Sequence, residues 1–169
     1  AGLHGVHITD NDAGDVTGVD GGTVTISDND IGSELTDTVL GDGIRFSDSI
    51  TNGATVSVAD NKIGRSGARV VNGVSFENIN GASTDVQVEQ GNVIWASGNG
   101  VVVNGEINGV EHFVVEQSTI NANSHGVVVN GNIVNAQDVQ VNVNNITSNN
   151  NHGVFFNGNV SNSLVIVNG

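Results

Sequence analysis

The sequence predicts an all-β chain wound as a parallel solenoid of about six turns of roughly 26 residues. Three observations carry this. A short strand opening with glycine returns six times: GVHI (5–8), GIRF (43–46), GVSF (73–76), GVVV (100–103), GVVV (126–129) and GVFF (153–156). A second strand follows it in every repeat. The composition is dominated by Val, Asn and Gly, with no proline, which favours short strands and turns over helices.

The first strands recur at spacings of 38, 30, 27, 26 and 27 residues, so the early repeats carry longer loops. Their period-2 alternation points Val6/Ile8, Ile44/Phe46, Val74/Phe76, Val101/Val103, Val127/Val129 and Val154/Phe156 to one side. The second strands are TVTI (23–26), TVSV (55–58), DVQV (85–88), HFVV (112–115), DVQV (138–141) and SLVI (163–166), the last directing Leu164 and Ile166 inward. A lone apolar residue lies between the two strands at Ile50, Ile79, Ile107, Ile133 and Val160. A further apolar beat follows at Ile31, Ile63, Val93, Ile120 and Ile146, preceded by a turn column of Asn29, Asn61, Gly91, Ser118 and Asn144. Strands this short cannot bury a face alone. Because the same strand type returns once per repeat, equivalent strands stack in parallel about 4.8 Å apart. The 169 residues are expected to form one domain, 1–169, with longer acidic loops in 1–42, regular turns in 43–169 and no cap expected at either end.

The charge excludes some functions. Eighteen acids against four bases give a net charge of −14, which repels nucleic acid and anionic lipid. No apolar run reaches the length of a membrane span. Without cysteine there is no disulfide framework or zinc ribbon.

The succession Gly-Val/Ile-x-apolar, x-Val-x-Val and Asn-x-Ile resembles the right-handed parallel β-helix repeat of the pectate-lyase-like superfamily. That superfamily includes pectate lyases, polygalacturonases, alginate epimerases, phage tailspikes and bacterial surface proteins. TVTISDNDIG (23–32) and TVSVADNKIG (55–64), with GDGIRF (41–46), look most like the long β-strand-repeat proteins that bacteria secrete. The resemblance implies a right-handed, single-stranded coil and an extracellular or cell-surface location. For function it implies a structural or adhesive element that stacks end to end on another copy or on neighbouring repeats of a longer chain. The alternative it raises is a carbohydrate-active β-helix working on polyuronates.

Catalytic residues are not expected. Ser124-His125-Gly126 and Asn151-His152-Gly153 resemble only the Gly-His-Gly part of a polygalacturonase site, and no aspartate pair or Arg-x-Lys accompanies them. The two histidines share a turn column with His4, Asp42, Asn72 and Asn99; stacked, they would bind a metal or sense pH. Arg45, Lys62, Arg65 and Arg69 are the candidate contacts to a polysaccharide carboxylate, with ion pairing to Asp42, Asp48 and Asp60 as the plainer reading. Asp10, Asp12, Asp15 and Asp20 form an oxygen-rich loop suited to calcium, and Glu89 and Glu116 share an outward column that a cation would relieve. On the outward positions, Val102, Val128 and Phe155, with Val114 and Val165, read as an apolar stripe for a partner.

Overall fold

In the computed structural model the described residues are 5–8, 17–32 and 41–169. They wind into four parallel sheets that run the length of a β-solenoid, three with six strands and one with five. The first sheet stacks Val6–Ile8, Ile44–Phe46, Val74–Phe76, Val101–Val103, Val127–Val129 and Val154–Phe156. The second holds the lone-apolar segments, from Thr17–Asp20 through Ile79–Asn80 to Val160–Ser161. The third takes the longer strands, among them Asp85–Glu89, His112–Glu116 and Asp138–Asn142. The fourth runs from Asp30–Ile31 to Asn145–Ser148. Six stacked first strands span five repeats, so the coil makes about five turns rather than six.

Each sheet turns apolar residues into the interior, two columns from the first sheet and two from the third. Ile44, Phe46, Val74, Phe76, Val101, Val103, Val127 and Val129 are buried as the alternation requires, and facing them are Val56, Val58, Val86, Val88, Phe113, Val115, Val139 and Val141. β-Branched side chains fill this narrow pleated space well. Phe46 and Phe76 stack with centroids 5.0 Å apart, and Phe113 meets Phe76 edge-on at 6.2 Å.

Two registers differ from the sequence expectation. In the third coil Ile94, not Val93, pairs with Ile63 and Ile120, and Val93 turns outward beside Lys62 and Thr119. The cause is an extra corner residue. Gln90 (φ 47°) holds the left-handed corner that Asp60 and Gln117 hold in neighbouring coils, and Gly91 (φ 78°) is inserted after it. In the last coil Val165 and Val167, not Leu164 and Ile166, align with Val139 and Val141, and Leu164 is left 52% exposed. The corner before that strand is one residue shorter, so SLVIV slips by one.

The same left-handed corner is occupied by Val143 (φ 49°) in the fifth coil, 70% exposed. A β-branched residue is strained there, and exposure returns nothing for its apolar surface. Val143→Asn is expected to stabilise the protein by about 1 kcal/mol, read as a higher urea midpoint at unchanged slope.

Candidate functional site

Beside the outer face of the first sheet runs a ladder of turn residues, one rung per coil. The Asn72 amide N–H and Nδ2 donate to Asp42 Oδ1 at 3.1 and 2.8 Å. The Asn99 N–H donates to Asn72 Oδ1 (3.0 Å), the His125 N–H to Asn99 Oδ1 (3.2 Å), and the His152 N–H to His125 Nδ1 (3.3 Å). Every rung needs a side-chain acceptor one coil below, and Asp, Asn and neutral His each supply one. At one end the ladder is ionic. Asp42 is buried and accepts from Ser75 Oγ at 2.6 Å, while Arg45 bridges it to Glu77 through Nη1 (3.4 Å) and Nη2 (3.0 Å).

At the other end it is aromatic. The rings of His125 and His152 stack with centroids 5.6 Å apart, and Phe155 lies 5.0 Å from the first and 5.2 Å from the second. Asp42 thus meets the outward residue of the following coil, Ser75, and His125 likewise meets Phe155. The expected apolar stripe is not an open surface: Val102 and Val128 are 1% and 2% exposed. Phe155 is engaged by the histidines. Val114 is half-buried between Gln87 and Gln140 on the third sheet, and Val165 packs against the core.

Desolvation, and then the neighbouring charge of His152, hold the His125 imidazole below the usual histidine pKa. Folding therefore favours neutral His125. Its contribution to stability is present above the unfolded pKa of about 6.5 and is lost as pH falls through the lower folded value. His125→Asn repeats the rung made by Asn99, so the variant is expected to lose less melting temperature than the parent between pH 7.5 and pH 5. Equal losses in a thermal scan would contradict this.

Two of the four basic side chains, Arg45 and Arg69, are engaged by the protein itself. Arg45 is paired as described. Arg69 Nη1 donates to the carbonyls of Ala96 (3.0 Å) and Asn121 (2.8 Å), and its guanidinium lies 5.0 Å from the Trp95 ring. Arg65 forms a backbone bridge with Ala68, and its side-chain Nε is buried without a hydrogen-bond partner among the described residues. Lys62 is exposed on the fourth sheet, lining a pocket of about 220 Å³ with Asp28, Asn29, Asp30 and Asp60.

Of the calcium candidates, Asp10, Asp12 and Asp15 lie outside the described residues. Asp20 accepts hydrogen bonds from Thr51 and Asn52, and Glu89 from Ser57 and Gln90. Glu89 and Glu116 each follow a paired valine, Val88 and Val115, on neighbouring strands. Among the described residues no group of three or more His, Asp or Glu side chains could hold a metal ion.

Sequence reasoning missed one charged column. Asp85, His112 and Asp138 open successive third-sheet strands in register, with His112 Nδ1 3.9 Å from Asp85 Oδ1. Gln87 Nε2 donates to both Asp85 oxygens, at 2.9 and 3.0 Å. The signal was the shared first position of DVQV, HFVV and DVQV. No protein-family model, no curated protein and no solved structure matches the chain.

Proposed function

We propose that the chain is a non-catalytic, extracellular structural or adhesive element of a bacterial surface or secreted protein. In this reading it is a right-handed parallel β-helix of the pectate-lyase-like repeat type, resembling the long β-strand-repeat proteins. It lengthens by stacking end to end, on a second copy or on a neighbouring repeat. The observation that carries the reading is the edge at the last coil. There Val141, Ile146, Val154 and Val167 line an apolar groove of about 210 Å³, and Ile146, Val154, Phe156 and Val165 are only partly covered. At the opposite edge Val6, Ile8 and Val24 are likewise only partly buried. Among the described residues the outermost strand at either edge pairs on one side only, and the same apolar columns reach both edges, so one more coil adds without new chemistry.

The carbohydrate-active reading has less support, since Arg45 and Arg69 are committed to protein acceptors. Electron microscopy of the purified protein, with and without EDTA, tests the proposal. Uniform rods several times longer than one coil stack are the expected result, and rods that dissolve in EDTA would add calcium to the joint. Isolated short particles in both conditions would overturn end-to-end stacking of copies, and a polyuronate binding assay would then decide for the alternative.

A further inference from the structure

We propose that His125 and His152 form a two-imidazole site for a divalent transition-metal ion of the Zn²⁺, Ni²⁺ or Cu²⁺ class. The argument starts from the coil. Rungs of one ladder on adjacent parallel strands stand about one strand spacing apart, and here both rungs are imidazoles, with ring planes 24° from parallel. The ladder hydrogen bond uses His125 Nδ1 as acceptor for the His152 N–H. That bond fixes the ring and leaves Nε2 on its far side; among the described residues no hydrogen bond engages that nitrogen or either ring nitrogen of His152. Phe155 stacks on the His125 ring and restricts its rotation, which lowers the entropy that an ion would otherwise have to overcome at that ligand, while its contact with His152 is tilted.

The surroundings select the ion. Asn99 and the Ser124–Asn151 hydrogen-bonded pair (3.0 Å) are neutral, and residues 117–169 contain a single acid, Asp138, which lies on the third sheet. Calcium and magnesium need several oxygen ligands with carboxylate charge, so imidazole nitrogens among neutral groups favour nitrogen-preferring ions. The chain's net charge of −14 draws divalent cations to the surface. Metal–imidazole bonds of about 2.0–2.1 Å require the two nitrogens to close toward one another. The exposed His152 side chain can turn to do this while His125 stays in the ladder. Water fills the remaining positions. The bound ion then ties the last two first-sheet strands together.

The test is calorimetric titration of chelator-treated protein with Ni²⁺, Zn²⁺ and Ca²⁺ at pH 7.5 and pH 5.5, with melting curves alongside. One transition ion per chain is expected, with a raised melting temperature and no response to Ca²⁺. Binding weakens at pH 5.5 because protons compete for the ligands. His125→Asn and His152→Asn should each bind about tenfold or more weakly, as loss of one of two ligands requires. Both variants repeat the Asn99 rung, so circular dichroism should show them folded; His112→Asn, at the half-buried histidine of the third sheet, should bind like the parent. Binding that survives in the His125→Asn/His152→Asn double variant, that is lost in His112→Asn, or that needs millimolar metal would overturn the proposal.

Discussion

Gly100→Ala is expected to destabilise the solenoid by about 3 kcal/mol or more, whereas Gly153→Ala should change stability by less than about 0.5 kcal/mol. Both glycines open the same repeated strand. An alanine Cβ at Gly100 would overlap Ile120 Cγ2 and lie 2.5 Å from the carbonyl oxygen of Gly126 in the next coil. Gly43 is enclosed in the same way, by Ile63 Cγ2 and by the Gly73 oxygen at 2.7 Å. Neither neighbour can retreat. Ile120 is fully buried in the fourth sheet, and the Gly126 oxygen accepts the Val101 N–H at 2.9 Å as part of the ladder. Relieving the clash would break a backbone bond or open the core at that coil. At Gly153 the nearest atom to such a Cβ is Ile146 Cγ2 at 3.8 Å, an ordinary contact. Urea denaturation of the two variants reads the contrast. Equal midpoints would mean that the recurring glycine reflects backbone preference and not the close approach of successive coils.

That recurring glycine is also why so much of the fold could be read from the sequence. It marks the corner where the chain passes under the next coil, so it fixes the period, and the alternation after it fixes the inward side. The first-sheet core residues follow from those two facts alone. Register failed where apolar residues are adjacent. Val93 and Ile94 suit the interior equally as side chains, and SLVIV is apolar at every position after Ser163. In both cases corner length decides, through Gly91 in one coil and a shortened turn in the other, and one residue of corner length leaves no hydrophobic trace. The outward stripe failed for a related reason. Alternation tells which face of a sheet a side chain takes, but not what lies against that face. Val102 and Val128 face outward and are still buried. The histidine stack was legible as a shared column, but its ring geometry depends on Phe155, one coil on.

Asn92→Ala is expected to cost about 3 kcal/mol or more, and Ser118→Asn, one coil away, to gain about 1 kcal/mol. Both follow from the interior turn ladder, which runs through Asn29, Asn61, Asn92, Ser118 and Asn144; Gly91 is the inserted residue and not the rung. Asn92 is fully buried. Its Oδ1 accepts the Asn61 N–H and Nδ2, both at 3.1 Å, and its Nδ2 donates to the carbonyls of Val58 (2.8 Å) and Glu89 (2.6 Å). Truncation removes all four bonds and leaves the Asn61 donors without this acceptor in a site closed to water, which is the costly direction of the hydrogen-bond asymmetry. Asn61 and Asn144 make the equivalent Nδ2 bonds to Ile26 and Val115, at 2.9 and 2.8 Å. Ser118 cannot: its hydroxyl is too short and turns back to the Glu116 carbonyl. An asparagine there would reach the Val88 carbonyl by the same register and accept the Asn92 N–H, carrying the ladder unbroken from Asn29 to Asn144. Thermal unfolding of Asn92→Ala, Ser118→Asn and the double variant measures both effects. The gain from Ser118→Asn should shrink once Asn92 is alanine, because the new carboxamide loses its neighbouring rung; an undiminished gain would show that the rungs act independently.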